Sequence, residues 1–194
     1  LVYLDTAATA QKPAAVIEAE RQYYRQSNAN VHRGMHVLAE AATAAYEGCR
    51  SRVAEWLRAP TSENVVILRS ATAALNLVAR GWEHHLQPGD EIIISAMEHH
   101  SNIVPWQMVC EETGAKLRVI PMTDDGELLM EEYARMLNPR TRIVSVVYVS
   151  NSLGTVNPVR EITALAHQAG ALVMLDGAQA VQHLPVDVQE LDCD

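Results

Sequence analysis

Phenylalanine is absent from the 194 residues, and we have no physical account of that. Lysine occurs only twice, at Lys12 and Lys116. Positive charge is short overall: 15 Lys and Arg against 24 Asp and Glu leave a net charge of −9 and a pI near 5.3. A basic field is what draws a protein to phosphate backbones, so general nucleic-acid binding is disfavoured. No apolar run reaches the roughly 18–20 residues of a membrane helix, and no signal-peptide pattern opens the sequence. Cysteine is limited to Cys49, Cys110 and Cys193, odd in number and without CxxC spacing. A disulfide framework and a structural zinc site therefore have no basis, and a reducing, cytoplasmic compartment is the expectation. GxGxxG and GxxxxGK[ST] are also missing, which leaves dinucleotide and nucleoside-triphosphate loops unsupported.

What is present reads as a globular α/β chain. Hydrophobic residues make up 48% and charged residues 20%, enough for a sizeable core. There is no repeat, low-complexity tract or Pro/Gly/Ser linker, so no internal domain boundary is expected. Leu1-Val2-Tyr3-Leu4 looks strand-like, and Pro13 to about Gln26 reads as helix. Residues 38–58 form a long amphipathic helix, with Leu38, Ala42, Ala45, Cys49, Val53 and Trp56 spaced along one face. Cys49 is thus expected in the core. Strands are then predicted at 65–68, 91–95, 116–122, 142–150 and 171–175. They alternate with helices at 72–86, 102–112, 128–137 and 158–168. Turns such as Pro88-Gly89-Asp90 and Asp125-Gly126 separate them. Continuous Val/Ile/Leu runs indicate strands buried on both faces, hence a largely parallel sheet flanked by helices. After Leu191-Asp192-Cys193 no closing helix or cap is expected, and the chain reads as a piece of a longer protein.

Ligands of open parallel sheets bind beyond the carboxyl ends of the strands. Those positions carry Arg69-Ser70-Ala71-Thr72, Glu98-His99-His100-Ser101-Asn102, Ser150-Asn151-Ser152-Leu153-Gly154 and Asp176-Gly177-Ala178-Gln179. Ser70 and Thr72 open a helix, where free N–H groups and the dipole favour an anion; simple N-capping is the alternative. Asp176 follows five apolar residues and needs a cationic or donor partner, unless it merely forms the turn before Gly177. His99 and His100 offer a flat aromatic surface and an acid–base group, or are ordinary surface histidines. His32 and His36 are four apart, but Gly34 between them and the lack of a third ligand argue against a metal. His84-His85 reads as solvated loop. An anion at a helix start, a π surface and a carboxylate for a ring nitrogen together describe a pocket for pyridoxal 5′-phosphate.

The segments Tyr3-Leu4-Asp5-Thr6-Ala7-Ala8, Asn30-Val31-His32-Arg33-Gly34, Glu98-His99-His100-Ser101-Asn102-Ile103-Val104-Pro105-Trp106, Val149-Ser150-Asn151-Ser152-Leu153-Gly154 and Asp176-Gly177-Ala178-Gln179-Ala180 carry a resemblance. They resemble the class V aminotransferase group, and within it the Suf-type cysteine desulfurases, also called selenocysteine lyases. The likeness runs over essentially all 194 residues. EHHxNxVPW with DGAQA is its most specific part; SATAALN alone is weak.

The resemblance implies a truncated large domain of the fold type I pyridoxal-phosphate enzymes. Residues 1–194 would comprise the N-terminal segment and most of that domain, without the C-terminal small domain. It implies that His99 stacks on the cofactor ring and moves a proton. Asp176 would pair with the ring nitrogen and Gln179 with the phenolic oxygen. Thr72 would contact the phosphate, and Asn151 would lie near the substrate carboxylate. His32 and Arg33 would belong to a loop near substrate and dimer interface. The implied reaction takes sulfur or selenium from L-cysteine or L-selenocysteine. It leaves alanine and an enzyme persulfide that feeds iron–sulfur cluster assembly through a sulfur-acceptor protein. The implied state is a homodimer.

Two departures stand out. Where relatives read closer to Arg-Gly-Thr-Thr-Glu-Gly-Ile-Asn, this chain has Arg69-Ser70-Ala71-Thr72-Ala73-Ala74-Leu75-Asn76, losing a hydroxyl and an acid. The family's Schiff-base lysine and persulfide cysteine match no residue of 1–194, so this segment alone would not catalyse the full reaction. Alternatives are another class V enzyme, such as an aminotransferase or a kynureninase-like lyase, and a non-catalytic module that keeps the fold.

Overall fold

The computed structural model describes every residue except Leu1 and Ala7. Its backbone groups into two compact units, Leu1–Ile67 and Leu68–Asp194, although no linker composition marks the division.

The second unit holds the sheet. Four parallel strands, β1 (Glu91–Ser95), β2 (Lys116–Ile120), β3 (Thr141–Val147) and β4 (Leu172–Asp176), lie in the order β2-β1-β3-β4. Parallel neighbours need crossovers. Helices α4 (Val104–Thr113), α5 (Met130–Met136) and α6 (Val159–Gln168) supply them. Helix α3 (Ala71–Trp82) precedes β1, and a short α7 (Val188–Leu191) follows β4.

The central strands β1 and β3 are buried on both faces, as continuous apolar runs require. Strand β2, at one edge, is only partly covered. Ile92 and Ile94 point to one side and pack with Ala79 of α3 and Trp106, Val109 and Cys110 of α4. Ile93 is fully buried on the other side. Burial of each such side chain contributes about 1.5–3 kcal/mol. Tyr133 of α5 is fully buried too, and its hydroxyl donates to the Ile162 carbonyl of α6 at 2.9 Å. At the amino edge of the sheet, Arg142 pairs with buried Asp90 at 3.0 Å and Arg118 with Glu91 at 2.9 Å. The two buried carboxylates there are thus each paired with an arginine.

The first unit is helical. Helix α1 (Ala14–Gln22) starts after Pro13 and runs into a π-helical turn, Tyr23–Ser27. Helix α2 (Val37–Leu57) is capped by His36, whose Nδ1 accepts from Ala39 N–H, and ends on Arg58 at φ +56°. Arg50 of α2 donates to the Val65 carbonyl at 2.9 Å.

Several expectations fail here. The run at 65–68 is not a strand: it has no ladder partner among the described residues, and Val66, Ile67 and Leu68 are exposed. Residues 2–4 form no strand either, while Leu1 lies outside the described residues. On α2 the buried residues are Ala39, Ala42 and Ala54, a small-residue face that shares only Ala42 with the expected stripe. Leu38, Ala45, Trp56 and Cys49 are exposed, so Cys49 is not a core residue. Cys110 is the buried thiol, and burial pushes it up to about 11. Near Asp194 the chain does form a helix, α7, with the Asp187 carboxylate accepting from Gln189 and Glu190 N–H.

Candidate active site

A parallel sheet delivers all its carboxyl ends to one edge, and three polar segments emerge there. The turn after β1 carries His99, the loop after β3 carries Asn151, and β4 ends on Asp176 with Gln179 three residues on. Because β3 lies between β1 and β4, His99 and Asp176 flank the end of β3.

Asp176 is buried, at 6% exposure. Its Oδ1 accepts the Ala178 N–H at 3.0 Å, and its carbonyl accepts from Tyr148 at 2.9 Å. It thus forms the turn and still places a carboxylate at the strand end; the two readings of this residue are compatible. Gln179 is half-buried, with Oε1 accepting from Gln182 at 3.1 Å.

His99 is exposed at the head of the turn His100–Asn102. Its Nδ1 accepts the Ser101 N–H at 3.2 Å and lies 2.8 Å from the Ser101 hydroxyl. An Nδ1 that accepts a backbone N–H puts the neutral ring's proton on Nε2. The His100 ring stands edge-on to it, centroids 6.2 Å apart. Asn151 is exposed and its amide donates to the Ser152 hydroxyl at 3.3 Å.

Helix α3 rests against the His100–Asn102 turn. Its cap is Ser70, whose hydroxyl accepts from Ala73 N–H at 3.1 Å. Thr72 does not cap; it stands exposed in the first turn, where backbone N–H groups and the dipole favour an anion.

His32 and Arg33 belong to the first unit and are described there. His32 has φ +62°, its N–H donates to the Thr43 hydroxyl at 2.9 Å, and its Nε2 lies 2.8 Å from the Glu47 carboxylate. Arg33 is exposed. Gly34 is required sterically: a Cβ there would lie 2.3 Å from the Ala39 Cβ. Among the described residues no group of three His, Cys, Asp or Glu is placed to hold a metal. His84 and His85 are exposed, on a 3-10 turn rather than in open loop. The motif at 3–8 includes Ala7, which lies outside the described residues.

A buried polar cluster behind His99 escaped the sequence reading. Glu98 accepts from the Ser95 hydroxyl, from Asn102 Nδ2 at 2.7 Å and from Val147 N–H at 2.9 Å. Asn102 Oδ1 in turn accepts from the Ser145 hydroxyl at 2.6 Å and Trp106 Nε1 at 3.1 Å. Burial holds the Glu98 carboxyl above its usual range; its three donors oppose this, and the Asp176 charge adds to it. The available signal was Ser145 interrupting an apolar run, together with Glu98 and Asn102 one helical turn apart.

The residues at this edge suit pyridoxal 5′-phosphate. The buried acceptor Asp176 matches a protonated ring nitrogen, and the imidazole supplies an aromatic face.

Comparison with known proteins agrees with this chemistry. The model of the family described as aminotransferase class-V matches residues 2–194. A cysteine desulfurase of Cronobacter sakazakii is 53% identical over the whole chain, which covers 48% of that protein. The solved cysteine desulfurase CsdA of Escherichia coli aligns over 99% of the chain and 48% of its own, at 44% identity and a TM-score of 0.89. An apo cysteine desulfurase structure from Thermococcus onnurineus NA1 aligns over 100% of the chain and 48% of its own, at 37% identity and a TM-score of 0.95. The chain spans about half the length of these relatives.

Proposed function

This chain belongs to the class V aminotransferase family, and from that premise we propose that the protein it is part of is a pyridoxal 5′-phosphate-dependent cysteine desulfurase. One observation carries the reading: a buried carboxylate, Asp176, and an exposed imidazole, His99, flank the same strand end. The names borne by relatives at about half identity support the same chemistry.

Pyridoxal 5′-phosphate, when bound, supplies an electron sink for charge developing at the amino-acid carbons. Asp176 accepts from the protonated ring nitrogen and keeps it charged, an interaction strengthened by burial. Gln179, next to it, hydrogen-bonds the phenolic oxygen. Thr72 and the first-turn N–H groups of α3 bind the phosphate. His99 covers the ring, and its Nε2–H is the proton this side of the site can donate. Asn151 lies near the substrate carboxylate.

In this reading L-cysteine, or its selenium analogue, yields alanine. The sulfur leaves as a persulfide on a cysteine of the intact protein for an acceptor protein of iron–sulfur cluster assembly. The protein works as a homodimer in the cytoplasm. The three free cysteines support that compartment.

The test is alanine release from L-cysteine by the intact protein loaded with pyridoxal 5′-phosphate. Asp176→Ala should lower it by on the order of a hundredfold or more, the scale of a lost preorganised charge contact. Alanine release unchanged in that variant, or absent in the parent, sinks the reading.

A further inference from the structure

The end of β3 has an unusual ladder. Ile94 of β1 pairs with Ser145, so the partner of Val147 would be residue 96, one past the end of β1. The Val147 N–H is taken instead by the Glu98 carboxylate, and the Val147 carbonyl accepts from Asn157 Nδ2 at 2.8 Å. Across β3, Val147 pairs in register with Asp176. A side-chain carboxylate from the residue before His99 therefore replaces the missing strand residue at the point where β3 pairs with Asp176.

We propose that Glu98 is a positioning residue: its carboxylate, locked by Ser95, Asn102 and Val147, fixes the turn bearing His99 to the end of β3 beside Asp176. The role rests on the functional reading above and deepens it. Three features carry it. Glu98 precedes His99 directly, so any movement of its side chain passes to the imidazole through one peptide bond. All its partners are buried, Ser95 at 1%, Asn102 at 0% and Val147 at 2% exposure, so water cannot substitute for a lost contact. Every group facing the carboxylate in this cluster donates, which an amide at the same position cannot satisfy. The amide of Glu98→Gln would point its NH2 at the NH2 of Asn102. Asn102 cannot turn over without setting its NH2 against the donor-only Trp106 Nε1–H and giving up its own contact with the Ser145 carbonyl.

That complementarity defines the experiment, made on the intact protein with pyridoxal 5′-phosphate. Glu98→Gln should weaken cofactor binding about tenfold, as loss of a supporting contact does in other sites. It should also diminish the circular dichroism of the bound chromophore. With L-cysteine, kcat should fall by on the order of a hundredfold, the scale for a small misplacement of reacting groups, with KM little changed. The double variant Glu98→Gln/Asn102→Asp re-pairs amide with carboxylate and should return binding and dichroism towards the parent. A Glu98→Gln protein that melts earlier but keeps parental affinity and dichroism overturns the proposal. If the single variant does not fold, the double variant decides: parental dichroism upholds the role, and a folded protein without it refutes it. A parent that binds no pyridoxal 5′-phosphate overturns the functional reading and this role together. Loss confined to the single variant leaves the reading standing.

Discussion

Ile92-Ile93-Ile94 and Val66-Ile67-Leu68 are nearly interchangeable on paper: three branched or aliphatic residues after a turn and before a polar segment. In the molecule they have opposite fates. The first triplet is at most 1% exposed, because β1 has β2 on one side and β3 on the other and helices on both faces. The second is 40–67% exposed and makes no ladder among the described residues. Apolar residues make a strand favourable only where neighbouring strands take up the backbone N–H and C=O groups. A run of β-formers states a preference, and the partners decide the outcome.

The contrast predicts unequal costs. Ile93→Ala should destabilise the protein by about 2–5 kcal/mol, the cost of a cavity in a closed core. Ile67→Ala should stay within about 0.5 kcal/mol, as at an open position. Urea unfolding of the intact protein measures both, and equal costs would mean that 65–68 is paired in solution. A smaller difference should separate two serines, one buried within β3 and one on the loop that follows it. Ser145→Ala strips a buried donor from Asn102 and should cost about 1–3 kcal/mol. Ser152→Ala, on the exposed loop, should cost next to nothing in the same measurement.

The smallest effect concerns β4, the edge opposite β2. His167 is held above its ordinary value, first by its hydrogen bond to Asp194 and then by the Asp194 and Asp192 charges, against a lowering by burial. A raised histidine contributes stability that is full below its unfolded value near 6.5 and fades as pH rises through the folded value. The stability difference between parent and His167→Gln should therefore be largest in mildly acidic buffer and shrink above neutrality. A difference that grows with pH would reverse the assignment.

The sheet was legible because its signal is local and strong. The runs at 91–95 and 171–175 lie within one residue of β1 and β4, and turn residues fence them. The polar carboxyl edge of the sheet was legible for the same reason, since strand ends and the residues after them are read directly from sequence. Two things were not. The long helix α2 buries alanines at 39, 42 and 54, of which apolar spacing marked only Ala42, alongside Leu38, Ala45, Cys49 and Trp56, which are exposed. Small residues permit close approach but carry little hydrophobic signal. The Glu98–Asn102–Ser145–Val147 cluster joins residues up to 49 positions apart through a register that only the folded sheet defines.

The Ser101 backbone grips one nitrogen of His99 and so leaves that ring a single working end. In its uncharged form that end arrives already loaded, as a giver of hydrogen rather than a taker. Anything that is to surrender a proton to it must first wait for the ring to part with its own.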